Sequence, residues 1–201
     1  MTKLVVATSN RGKLAEIKAL LAGVDAEVVS AADVLGRMPV VEETETTYRG
    51  NALKKALAIA EATSMLTLAD DSGLEVDALG GRPGLFSARF AGEHATDQQN
   101  RAALLAELAG VDDAARTARF RCVLALVARG EAPIIVEGTC EGRITRAARG
   151  ASGFGYDPLF WVSSEDATMA ELTEERKNQL SHRGRAAAAL RPLLDELLSR
   201  T

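Results

Sequence analysis

The stretch RFRCVLALVARGEAPIIVEGTCEGRITR (residues 119–146) decides the fold class. Two long runs rich in Val, Ile and Leu flank a short segment, 130–133, that begins with Gly and ends with Pro. Apolar β-branched runs bounded by such turn formers read as two strands of a hairpin. A hairpin is antiparallel, so a mixed sheet fits better than a strictly parallel, doubly wound one. The remainder of the chain alternates strands and helices irregularly. LVVA (4–7) reads as a buried strand, and 12–22 as a helix with Leu14, Ile17, Leu20 and Leu21 on one face, closed by Gly23. A second strand is expected near 27–30, then an irregular acidic segment over 35–45, and an alanine-rich helix over 47–64. MLTLADDSGL (65–74) repeats the opening pattern of an apolar strand ending in small and charged residues. GGRPG (80–84) is a turn. Helices are expected over 97–109 and from Ser181 to about Ser199, the latter with a kink or break at Pro192. The pattern is that of an α/β protein with a mixed sheet.

The chain has 201 residues, 47% of them apolar, enough for a proper core in one domain or two tightly joined lobes. A net charge of −4 argues against broad binding to nucleic acid, although a few local cations can still hold a small anion. Cys122 and Cys140 lie in apparent strands without metal-ligand spacing, so they read as buried, reduced thiols. The first residues have too short an apolar run for a signal peptide, and no later run could span a bilayer, so a cytoplasmic protein is expected.

Five stretches carry chemistry. TSNRGK (8–13) sits where a strand turns into a helix; it either cradles a phosphate on free N–H groups beside Lys13, or merely caps the helix. The P-loop spacing is absent. ADDSG (69–73) places Asp70 and Asp71 at a strand end. Adjacent carboxylates repel unless a cation or hydrogen bonds intervene, which suits a bound Mg²⁺ or, alternatively, a capped turn. Glu42 or Glu43, in the acidic loop, is a further metal ligand or simply solvated. GASGFGYDPLFW (150–161) has three glycines and four aromatics; Phe154, between two glycines, either stacks on a flat ligand or plugs the turn. SHRGRA (181–186) places His182 and Arg183 in a helix's first turn, where cations oppose the dipole; they either donate to ligand acceptors or form a surface pair. An anion cradle, a carboxylate metal site, a stacking ring and hydrogen-bond donors together describe a Mg²⁺-bound nucleotide.

TSNRGK, EET, NALKKA, ADDSGLEVDALGGRPGLFSARF, GFGYDP and SHRGRA, in this order from Lys3 to about Leu190, resemble the inosine/xanthosine triphosphate pyrophosphatases. The resemblance implies an elongated mixed sheet with flanking helices, in two lobes around a substrate cleft and with no separable linker. It also implies a homodimer and Mg²⁺-dependent hydrolysis of ITP, dITP or XTP to the monophosphate and pyrophosphate. By the same resemblance Asp71 is the general base and a metal ligand, Glu43 a second metal ligand, and Ser72 a substrate contact. The phosphates fall to Thr8, Ser9, Asn10, Arg11, Gly12, Lys13 and Lys55. The base falls to Phe154, Gly155, Tyr156 and Asp157, with Lys177, His182 and Arg183.

Overall fold

The structure, a computed structural model, describes residues 2–200. Strands β1 (Thr2–Val6), β2 (Ala26–Ser30), β3 (Leu66–Val76), β4 (Thr117–Val127), β5 (Ile134–Ile144), β6 (Phe160–Val162) and β7 (Ala167–Thr168) form a sheet of order β2-β1-β3-β4-β5-β6-β7. β1 runs parallel to both β2 and β3, with Leu4 opposite Val28 on one side and Leu66 on the other. β6 is antiparallel to β5 and β7. The sheet is mixed, as the hairpin required, and residues 128–133 join its neighbouring strands β4 and β5.

The chain forms two compact units, each discontinuous in sequence. The first contains the residues up to Asp71, Cys122–Gly138, and the chain from His182 onward. Its helices are α1 (Arg11–Leu20), α2 (Ala31–Leu35), α3 (Tyr48–Thr63) and, later in the chain, α6 (His182–Ser199). Parallel strands need crossovers, and α1 supplies the one between β1 and β2. The core is Leu4 and Val6 of β1, Ile17 of α1, Leu68 of β3, Leu124 and Leu126 of β4, and Leu190 and Leu194 of α6. α6 presents alanines to the sheet, with Ala186 and Ala187 buried. Small side chains let backbones approach closely, and Gly138 of β5 shows how closely. A Cβ there would stand 2.1 Å from the carbonyl oxygen of His182 and 2.5 Å from the amide nitrogen of Ala186.

Of the kink or break expected at Pro192, the break does not occur: α6 is continuous through the proline. Proline in a helix interior costs about 3 kcal/mol. Leu190 and Leu194 flank it and are fully buried, each contributing about 1.5–3 kcal/mol, so burial outweighs the lost hydrogen bond. The last helix begins at His182, so His182 and Arg183 stand in its first turn as expected, and Ser181 also caps the C-terminus of a preceding helix, α5 (Glu174–Leu180).

The second unit holds Ser72–Arg121 and Thr139–Ser181, including α4 (Asp97–Glu107) and α5. Its core gathers Leu74, Val76, Leu104, Phe120, Ile144, Leu159 and Phe160. The rings of Phe120 and Phe160 lie 4.4 Å apart, centroid to centroid, in a tilted pair. Both cysteines are buried free thiols. Among the described residues no helix is long and apolar enough to cross a membrane.

Candidate active site

β1 hands over to α1 through residues 7–10. The hydroxyl of Thr8 accepts from the Asn10 amide at 3.2 Å, and the Asn10 side chain caps α1 by accepting from the Lys13 amide at 3.0 Å. The capping role read for this loop is therefore present. Arg11, Gly12 and Lys13 form the first turn of α1, beside the exposed Ser9. Lys13 is not merely solvated, because its ammonium lies 2.5 Å from Oδ1 of Asp70.

Consecutive residues of an extended strand point to opposite sides, and Asp70 and Asp71 of β3 have different partners accordingly. The Asp70 carboxylate is fully buried. Its Oδ1 meets Lys13, while Oδ2 accepts from Arg183 Nε at 2.9 Å and from the Cys122 thiol at 3.1 Å. Arg183 also donates through Nη1 to Glu16 of α1. Burial alone would raise Asp70, but Arg183 and Lys13 outweigh it and hold the carboxyl well below its ordinary range. Burial and the Asp70 charge push the Cys122 thiol well up, so it remains a protonated donor.

Asp71 faces Lys55 of α3. The Lys55 ammonium donates to Asp71 Oδ1 at 2.9 Å, to Glu43 Oε1 at 2.9 Å and to the main-chain oxygen of Asp70 at 2.7 Å. These three acceptors match the three donors of an ammonium. One lysine thus serves two carboxylates, with a consequence for both sides. Burial lowers Lys55, yet Asp71 and Glu43 together raise it above its ordinary value. Asp71 has only a share of that cation, so burial prevails and its pKa is raised. A carboxylate held higher than usual is a better proton acceptor near neutral pH.

Of the two loop glutamates, Glu43 reaches this cluster and Glu42 is exposed. Glu43 and Asp71 already converge on one cation, and hard carboxylate oxygens are what Mg²⁺ prefers. Among the described residues no group of three or more His, Cys, Asp or Glu is arranged to hold a metal. A Mg²⁺ here would take the two carboxylates and complete its shell with water and phosphate oxygens, as that ion commonly does. Ser72, half-buried, follows Asp71 on β3.

In the second unit the glycine-rich loop is organised by Asp157. Its Oδ2 accepts from the Phe154 amide at 3.0 Å and from the Lys177 ammonium of α5 at 2.6 Å. Gly153 sits at φ 76°, and a Cβ there would approach Asp157 Oδ2 to 2.2 Å, so only glycine fits. Lys177 stands 5.1 Å from the centroid of the Phe154 ring. The Gly155 amide donates to Asp97 at 2.7 Å, and Arg101 donates to the Gly155 carbonyl at 2.6 Å, so α4 braces the loop. Tyr156 is buried and donates its hydroxyl to the Ser87 carbonyl at 2.9 Å; burial and Asp97 raise it. Phe154 remains half-exposed while its neighbours Tyr156 and Asp157 are buried.

His182 and Arg183 occupy the first turn of α6 and are both buried. Arg183 belongs to the Asp70 group, with its Nε and Nη1 engaged by two carboxylates. Five participants were not read from the sequence: Glu16, Ser87, Asp97, Arg101 and Cys122. Glu16 had a signal, since it lies three residues after Lys13 and so on the same face of α1. Cys122, an apolar-looking residue in an apolar strand, had none.

The chain matches the Ham1 family over residues 4–193, nearly its whole length. It belongs to the Ham1 family. Among curated relatives, the Ham1-family chain is 52% identical over 191 residues to a dITP/XTP pyrophosphatase of Geobacter sulfurreducens, covering 95% of this chain and 96% of that one. It is 48% identical over 195 residues to a dITP/XTP pyrophosphatase of Bacillus subtilis, covering 97% and 98%. Among solved structures, a HAM1 protein from Coxiella burnetii superposes with a TM-score of 0.87 at 42% identity, covering 98% of this chain and all of that one.

Proposed function

We propose that this Ham1-family protein hydrolyses non-canonical purine nucleoside triphosphates, dITP, ITP and XTP, to the monophosphate and pyrophosphate. The names of its relatives support the substrate class. The observation that carries the chemistry is the buried Asp71, raised in pKa and sharing Lys55 with Glu43.

The bonded cluster sets Lys13, Lys55 and Arg183 against Glu16, Glu43, Asp70 and Asp71, three cations against four carboxylates. A site with that balance repels a triphosphate unless a divalent cation accompanies it. Glu43 and Asp71 would hold Mg²⁺, which when bound offsets phosphate charge and polarises the phosphorus centre. Asp71 accepts the proton of the water that attacks the α-phosphorus, and pyrophosphate leaves. Lys55 keeps Asp71 and Glu43 oriented, and Lys13 with the amides of the Thr8–Lys13 turn neutralises phosphate oxygens.

Phe154 offers its ring to the purine, with Lys177, Gly155, Tyr156 and Asp157 shaping the loop that holds it. Inosine and xanthine present a 6-oxo acceptor where adenine presents a donor, so His182 and Arg183 favour the former. A substrate carbonyl competes with Asp70 and Glu16 for Arg183. We place the protein in the cytoplasm as a homodimer on the family resemblance, a state that light scattering after size exclusion checks.

The test is product analysis with Mg²⁺ on dITP, ITP, XTP, GTP and ATP, detecting phosphate and pyrophosphate separately. Pyrophosphate release from the 6-oxo non-canonical nucleotides well ahead of ATP is expected. Orthophosphate as the primary product, or no turnover despite binding, refutes the reading, the latter in favour of a nucleotide sensor.

A further inference from the structure

A groove of about 380 Å³ in the second unit, lined by Arg143, Arg146, Arg149, Thr145 and Trp161 among others, has no part in the chemistry above. Arg143 and Arg149 converge on one indole, their guanidinium carbons 5.7 and 5.0 Å from the Trp161 ring centroid. Arg146 pairs with Asp113 at 2.7 Å, and Arg149 with Glu171 at 3.2 Å. Among the described residues Arg143 makes no ion pair and is exposed, held in place by the ring.

A fourth guanidinium lies beneath this wall. Arg116 is buried and donates to the main-chain oxygens of Ile144, Leu108 and Thr145 at 2.8–3.1 Å, with no carboxylate among these partners. Ile144 and Thr145 themselves line the groove. Four arginines against Asp113 and Glu171 leave a local excess of two positive charges in a chain whose net charge is −4. Like charges gathered on one ring and over a buried cation repel one another until an anion joins them. The arginine fork matches phosphoryl oxygens in particular.

We propose that this groove is a second binding site, for phosphoryl oxyanions, in which Arg143, Arg146 and Arg149 supply the N–H donors and Trp161 sets their spacing. With two guanidinium groups already on the indole, the ring serves the arginines, so the ligand is recognised by its phosphate rather than by a stacked base. The phosphate can come from free inorganic pyrophosphate or from a nucleoside monophosphate.

Trp161 is the only tryptophan in the chain, so its fluorescence reports this groove directly. Inorganic pyrophosphate and, separately, inosine monophosphate are titrated into the full-length protein. A saturable fluorescence change is expected, with a midpoint below about 1 mM for a site with several charge-assisted contacts. The Arg143→Ala/Arg146→Ala variant should raise that midpoint by about tenfold or more while hydrolysis of dITP continues unchanged. Lys55→Ala, which damages the carboxylate cluster, should leave the fluorescence titration intact. The tighter of the two probes identifies the source of the phosphate. The proposal is overturned if neither probe gives a saturable change, if the arginine variant titrates like the wild type, or if Lys55→Ala abolishes the response. Should the double variant fail to fold, the single Arg143→Gln, at an exposed position, is judged by the same midpoint.

Discussion

Arg183 Nε donates to Asp70 Oδ2 at 2.9 Å, joining the first turn of α6 to β3 across 113 residues of sequence. Both side chains are almost wholly shielded from water. Removing the Asp70 charge takes one of two carboxylates from the buried Arg183, which keeps Glu16, and takes the same carboxylate from Lys13. Breaking a buried pair in this way costs about 3–5 kcal/mol. Asp70→Asn should therefore lower the melting temperature by roughly 10 °C at neutral pH in a chain of this length. Calorimetry checks it, and a loss within error of zero would mean that Glu16 alone compensates Arg183.

Asp71, the neighbour, should behave differently. Asp71→Asn keeps the shape and removes the proton acceptor, so turnover of dITP should fall by at least ~10²-fold while nucleotide binding persists. Single-turnover kinetics alongside equilibrium binding separate the two effects. Near-normal turnover would move the base elsewhere.

Phe154 should affect all purines alike. A half-exposed ring below the Lys177 ammonium offers a face that does not distinguish one six-membered edge from another. Phe154→Ala should weaken dITP, XTP and ATP by a similar ~1–3 kcal/mol. A marked change in the ratio of their specificity constants would assign selection to this ring itself.

Cys122 carries a pH signature. Its thiol is raised in the folded protein by burial and by Asp70, whereas the unfolded thiol titrates near about 8.5. For a group raised on folding, the stabilisation is fully present below the unfolded value and is lost as pH rises toward the folded one. Wild type should then lose about 1.4 kcal/mol per pH unit above about 8.5, relative to Cys122→Ser, whose hydroxyl does not titrate there. Melting curves of the two proteins from pH 8 to 10 test this; parallel curves would refute it.

Strands β1 to β5, the long helices and the mixed character of the sheet were legible in the sequence because burial writes a period into it. Leu4 to Ala7, the 119–146 hairpin and the face of α1 all follow that period. The short β6 and β7 were not read, and the Asp70–Asp71 pair, expected at a strand end, lies inside β3, which runs on to Val76. Less legible were the short helix α2, capped by reciprocal bonds between Ser30 and Asp33, and α5, whose seven residues bury little besides Lys177. At Pro192 the local rule against proline is strong, and the tertiary burial of Leu190 and Leu194 keeps the helix unbroken there. At the site, residue types and motifs pointed to Asp71, Lys55 and Phe154, but not to their wiring. That Asp70 collects Lys13, Arg183 and Cys122, from α1, α6 and β4, depends on contacts between elements far apart in sequence, which no local pattern encodes.

Gly138 has no unusual job in the backbone, yet it governs how tolerant this region is to mutational drift. With the His182 carbonyl and the Ala186 amide in the way of any Cβ, even alanine forces β5 and the start of α6 apart. The next residue along that helix is Arg183, so the displacement would reach Asp70 and Lys13 without touching either. In a saturation screen Gly138 should register as intolerant as a catalytic position, while mutants there bring no new chemistry. A single hydrogen atom on a strand outside the chemistry-bearing motifs thus limits which variants of this enzyme can exist.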